Sequence, residues 1–172
     1  TLTITMTGEY KAGLTYTAKA FLGEGPGKME FPMTDAVPGL YKSAAYVVKT
    51  GDNLTDVVVS AELKDQAGNV TTIAATERVT LDTTAPTGSV SINGGAAVAT
   101  SRTLDVTVTG QGADLMKVAT SEDGLDSANW ETFKVKKSIT IPNSTGTHLV
   151  WVKLGDLAGN ESAAFSDSID YT

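Results

Sequence analysis

One five-residue pattern, Asp-x-Ala-Gly-Asn, occurs at Asp65–Asn69 and again at Asp156–Asn160, ninety-one residues later. Superposing the two copies also superposes the strands beside them: Leu63 falls on Leu154 and Ala61 on Val152. A final alternating stretch follows each copy, ending at Asp82 or Asp170. A repeat of that length means one module written twice. The phrase reads as a turn between two strands. Gly68 and Gly159 supply a left-handed backbone. Asn69 and Asn160 tolerate similar geometry, and Asp65 and Asp156 can accept N–H groups across the turn.

The flanking residues alternate with a period of two, the signature of half-buried strands. In TLTITMT the residues Leu2, Ile4 and Met6 share a face. LTYTAKAF, GKMEFPMT and RVTLD continue the pattern. In DVVVSAELKD the face is Val57, Val59, Ala61 and Leu63, and these are expected to be buried. The second half offers GSVSI, TLDVTVTG, DLMKVATS, WETFKV, SITIP, HLVWVKLGD and FSDSIDY. There the inward set is Val150, Val152 and Leu154. Only 6% of residues are aromatic, so the core must be aliphatic. Thr and Val suit a pleated surface. About seven short strands in the second half, separated by turn residues, predict a β-sandwich, and the repeat extends that reading to the first half. The expected architecture is all-β: two tandem immunoglobulin-like β-sandwiches, 1–84 and 85–172. The boundary DTTAPT lacks glycine, and Pro86 stiffens it.

The formal charge of -7 disfavours nucleic acid, whose phosphates require clustered Lys and Arg. The cluster Lys134, Lys136 and Lys137 reads as a solvated strand edge. The chain has no cysteine, hence no disulfide or thiolate metal site. No run of about twenty apolar residues exists for membrane insertion. No basic-then-apolar segment opens the sequence, so Thr1 reads as a mature terminus or a cut inside a longer protein.

Candidate chemistry is sparse. His148 is the single histidine. It gives neither a zinc cluster nor a triad, since no G-x-S-x-G elbow surrounds any serine. Glu122, Asp123 and Asp126 surround Asp123–Gly124, which reads as a hairpin tip rather than a general acid–base pair. GEGPG lacks the GK[ST] ending of a phosphate loop. The expectation is no enzyme. Trp151 falls on the face opposite Val150 and Val152, so it points outward. With Trp130 it is the candidate binding pair, either stacking on a carbohydrate or covering the sheet. Tyr10, Tyr16, Tyr41 and Tyr46 form no stripe.

GLYKSAAYVVKTGDNLTDVVVSAELKDQAGN followed by VTLDTTAPT resembles bacterial immunoglobulin-like repeats. APTGSVSINGG, DGLDSANWETF and VKLGDLAGN resemble a second variant of the same class. The resemblance implies a module strung along a bacterial adhesin, a cell-surface or secreted protein, a phage virion protein or a multidomain polysaccharide-degrading enzyme. It implies an extracellular, cell-surface or virion-surface location and a role as spacer, stalk or binding module. Neighbouring repeat modules or other protein subunits would be its partners, and copies joined end to end would form a rod. Exposed strand edges could alternatively pair between copies in a filament or shell. Repeats of the second variant often carry an Asp in the turn after their second strand. Here that turn reads TGQGAD, with Asp114 displaced. Some repeats of this class bind calcium at their joints. Sandwich topology would bring Asp82, Asp156 and Asp52 toward this joint, with Asn160 completing an oxygen shell suited to calcium.

Overall fold

The computed structural model describes residues 1–8 and 14–172; Tyr10 lies outside them. The chain divides into two compact units, Thr1–Thr83 and Thr84–Thr172. Each is built almost entirely from strands.

In the first unit, β1 (Thr5–Thr7), β2 (Thr17–Leu22), β3 (Met29–Val37), β4 (Leu40–Ser43), β5 (Leu54–Lys64) and β6 (Val70–Leu81) form a single sheet. Its order is β1-β4-β3-β2-β5-β6. β3 pairs with both β2 and β4, and its register with β4 shifts between Asp35 and Val37. Such an irregularity bends a strand and increases its twist. The sheet coils there, so Ile4 and Met6 before and on β1 share a core with Ala20 and Leu22 on β2 and Ala61 on β5. Two layers thus arise from one continuous sheet. GEGPG forms a short 3-10 turn over Gly25–Gly27 between β2 and β3.

The second unit has two separate sheets. Its strands are β7 (Thr87–Ile92), β8 (Val98–Ala99), β9 (Thr103–Gln111), β10 (Leu115–Ala119), β11 (Glu131–Thr132), β12 (Lys136–Thr140), β13 (Gly146–Gly155) and β14 (Phe165–Tyr171). One sheet runs β12-β9-β7 and the other β11-β10-β13-β14-β8. Only β8 pairs in parallel, with β14. This is an immunoglobulin-like sandwich. Ile92, Leu104, Val106 and Val108 face Met116, Val150, Val152, Leu154 and Ile169 across a dry interior.

Three local readings are corrected by the fold. Val57, Val59 and Leu63 are half-buried beside the first core, whereas Val150, Val152 and Leu154 are fully buried. The reason is coverage: β6, next to β5, is exposed along most of its length. Asp123–Gly124 is not a hairpin tip. Gly124–Ser127 forms one turn of helix, α1, which buries Leu125. Gly124 fits closely there: a Cβ would lie 2.9 Å from Ser121 Oγ and 3.1 Å from Ala119 Cβ. WETFKV contributes only Glu131–Thr132 as strand. The short strands β4 and β8 carry no alternation long enough to be recognised.

The difference in burial sets an order of stability losses. Val152→Ala is expected to cost about 2 kcal/mol, from lost transfer free energy plus a cavity. Val59→Ala should cost about half of that, because its site is partly open already. Urea denaturation of the two variants checks the order, and equal losses would contradict it.

Candidate functional site

Both copies of the repeated phrase fold into the same clasp. Each joins the two strands of a hairpin, β5 to β6 or β13 to β14. At the first copy, Asn69 donates its backbone N–H to Asp65 Oδ1 and its side-chain amide to Oδ2, both at 2.8 Å. Asp65 N–H donates to the Asn69 carbonyl at 3.0 Å, and Gly68 N–H to the Asp65 carbonyl at 3.1 Å. The second copy repeats every bond: Asn160 N–H and Nδ2 each reach Asp156 at 2.8 Å, with return bonds of 3.1 and 3.4 Å. Gly68 and Gly159 share φ = 92°, the left-handed conformation a side chain would disfavour.

The two clasps differ in depth. Asp156 is only 7% exposed, whereas Asp65 is half-exposed. Burial pushes the Asp156 carboxyl upward, but the side chain and backbone of Asn160, then Gly159 and Ala158, outweigh it and hold it below the usual range. Asp65 is likewise lowered, first by the Asn69 side chain and then by its backbone. Asp114 reinforces the deeper clasp: its carboxylate accepts the Leu157 N–H at 3.1 Å. Its displaced position in TGQGAD thus serves the neighbouring turn, a role invisible without the fold.

The remaining candidate oxygen ligands are placed within their own units. Asp52 accepts the Lys49 N–H at 2.6 Å and the Tyr46 hydroxyl at 2.9 Å. These bonds, in that order, lower its carboxyl, and the same hydroxyl bond raises the Tyr46 phenol. Asp82 directly follows β6 and precedes Thr83. Thr83 is tied to the Gly51–Asn53 turn: its N–H and hydroxyl donate to Asn53 Oδ1 at 2.7 and 3.0 Å, and its Oγ1 accepts the Gly51 N–H. Asp156 and Asn160 belong to the second unit and bind each other. Within neither unit do three acidic or imidazole side chains of the described residues gather as a metal site would need.

Trp151 and Trp130 belong to the outer face of the five-stranded sheet. Trp151 lies on β13 opposite Ala119 and Ser166 and is half-buried. Continuing along that face, Lys153 and then Gly155 pair with Lys117 and Leu115 of β10. The Trp130 ring lies over Gly155, where a Cβ would come within 3.0 Å of it. The Lys117 ammonium stands 5.1 Å from the Trp130 ring centroid and donates to the Leu125 carbonyl at 3.2 Å. Trp130 therefore covers the sheet, and Lys117 beside it ties α1 to β10. The strand rise puts Trp151 two same-face positions, or roughly 13 Å, from Gly155. An open depression of ≈ 350 Å³ beside this face is lined by Glu122, Asp123, Asp126, Lys153 and Ser162 among others, and by neither indole. Lys153 pairs there with Glu161.

His148 holds a structural place. Its Nε2 lies 2.7 Å from the Ser144 carbonyl, and its ring meets Tyr171 edge-on at 6.3 Å.

No family model matches the chain. No curated protein matches it. Among solved structures, it is similar to the fibronectin(III)-like modules of CbhA from Clostridium thermocellum, with 14% sequence identity and a TM-score of 0.42. That match covers 99% of this chain and 85% of the other.

The clasp geometry carries a pH dependence of known sign. A carboxyl lowered in the folded chain stabilises above its unfolded value, and that stability is lost as pH falls through the folded value. Asp156→Ala is expected to cost about 2 kcal/mol near neutrality, since it removes the carboxylate that accepts both Asn160 donors at a half-buried turn. The gap to the parent protein should close below about pH 4. Asp65→Ala should cost less, because water replaces its bonds. Urea titrations at a series of pH values check all three outcomes; a pH-independent gap for Asp156→Ala would contradict the clasp.

Proposed function

We propose that this chain is a non-catalytic structural module of a larger cell-surface, secreted or virion-surface protein, and that its task is to hold other parts of that protein at a fixed remove. The observation that carries this reading is the duplicated clasp. The most distinctive polar residues of the sequence, Asp65, Asn69, Asp156 and Asn160, spend their bonds on closing hairpins. Asp52, Asn53, Asp114 and His148 likewise bind backbone or turn groups. Polar groups that serve strands and turns make a durable module and leave little for chemistry. Two self-contained cores support the same reading. So does the short stretch between Thr83, fixed to its turn, and Pro86, which packs beside Gly112. The extracellular setting rests on the resemblance of the sequence to bacterial immunoglobulin-like repeats.

A second reading, an accessory module for carbohydrate, is favoured by one observation: Trp151 and an open depression share the outer side of one sheet. Sugar rings stack on flat aromatic faces, and a bound glycan would alter indole emission.

Two measurements separate the readings. Stretching single molecules of the whole chain should give two discrete unfolding events, each lengthening the chain by about 25–30 nm, the extended length of one unit less its folded span. A single event, or none above the noise, would remove the load-holding role. Titration with cellulose, xylan and chitin oligosaccharides should leave tryptophan fluorescence unchanged. Saturable quenching that Trp151→Ala abolishes would favour the carbohydrate reading instead.

A further inference from the structure

Four of the six asparagines stand in the pattern Asn-x-Ser/Thr: Asn53-Leu54-Thr55, Asn69-Val70-Thr71, Asn143-Ser144-Thr145 and Asn160-Glu161-Ser162. In this pattern an asparagine amide can accept a sugar, provided it lies on a surface loop. The chemistry needs a free Nδ2 as nucleophile and a free hydroxyl two residues on. The segment must also stand clear of its neighbours to enter a transferase.

Three of the four patterns are spent on the fold. Asn69 and Asn160 each donate Nδ2 to the carboxylate of their clasp at 2.8 Å. Thr71 lies within β6, paired with Leu63 of β5. Ser162 is buried, and its hydroxyl accepts the Leu154 N–H at 2.9 Å and donates to the Ala163 carbonyl at 2.8 Å. Asn53 Oδ1 accepts both donors of Thr83, and Thr55 lies inside β5. A sugar on any of these would require a strand pair or a turn to open.

Asn143 is placed differently. It belongs to the loop between β12 and β13, and every residue from Pro142 to Thr147 is exposed. The side chains of Asn143 and Thr145 make no hydrogen bond among the described residues. The loop is nonetheless held at its base. Ile141 is buried, donates its N–H to the Arg102 carbonyl at 3.0 Å and accepts Arg102 Nε at 3.0 Å. His148 Nε2 lies 2.7 Å from the Ser144 carbonyl. Pro142 brings no N–H to a ladder, and Gly146, at φ = 119°, turns the chain into β13. Asn143, Ser144 and Thr145 thus project from a fixed base with the amide and the hydroxyl both unspent.

We propose that Asn143 is a site of N-linked sugar attachment, and that the fold closes the other three patterns to it. The proposal rests on the exported setting proposed above, where such modification is met. The co-reactant is a sugar activated by a phosphate or diphosphate ester at its anomeric carbon. Asn143 Nδ2 attacks that carbon and forms the C–N bond. The C–O bond to the phosphate breaks, the phosphate leaves with the electron pair, and Nδ2 gives one proton to a base of the transferase. Gly146 pairs with Tyr171, so the sugar would stand at the end of the unit where β14 finishes, adding a bulky, hydrated group beside the strand ends.

The test uses the whole folded chain, a purified soluble transferase specific for Asn-x-Ser/Thr, and uridine-diphosphate glucose as the sugar donor. Mass spectrometry of the intact protein and of its proteolytic fragments should find one hexose, on Asn143. Asn143→Gln and Thr145→Ala should each abolish it, while Thr145→Ser keeps it; both positions are exposed, and unchanged urea denaturation of the variants shows that folding is not the cause. Synthetic peptides of residues 48–58, 64–74 and 155–165 should be modified although the same asparagines in the folded chain are not, which assigns the selection to the fold. A folded chain left unmodified at Asn143 overturns the proposal, as does transfer to Asn53, Asn69 or Asn160 of the folded chain at a comparable rate. Either result leaves the load-holding role standing, since that is read from unfolding under force.

Discussion

Register between the last two strands of each unit governs everything packed on them. Side chains alternate faces along a strand, so a slip of one residue would turn every inward valine outward. The Asp–Asn clasp prevents the slip. Four bonds close a five-residue turn, and the two that involve the carboxylate require both partners at fixed positions. With the turn fixed, Ala61 is set opposite Ile73 and Val152 opposite Phe165. The cores follow from those pairings.

One hairpin then supports two different closures. In the second unit a strand crosses from one sheet to the other, and the hydrophobic set of β13 is wholly dry. In the first, a single sheet coils through the bend in β3, and the corresponding set on β5 is only partly covered. The burial of a valine here depends less on its own strand than on whether a non-neighbouring strand arrives above it. Packing against such neighbours is what β-propensity scales largely measure.

The outer face of the five-stranded sheet shows how an apparent binding pair is divided by packing. Trp130 lies on Gly155 beside Lys117, which bonds to α1. Trp151 stands further along the same face, between smaller neighbours on β10 and β14. The two indoles stand apart on one face, with Lys117 of β10 and Lys153 of β13 at the intervening position. The acidic segment around Asp123 is likewise drawn into structure: burial of Leu125 converts an apparent hairpin tip into a helical turn.

By itself the sequence determined the all-β class, the duplicated hairpin, the left-handed glycines and the inward face of β13. These are local matters: alternation, turn residues and a short clasp act over a few positions, and they are written in consecutive residues. The outward direction of Trp151 followed from the same alternation. Only the tertiary structure decided that Asp114 would brace the Asp156 turn, that Gly124 would start a helix, and that Trp130 would rest on Gly155. It alone decided how far β5 would be covered. Each of these depends on which distant segment arrives within a few ångströms, and residue order along the chain does not encode that proximity.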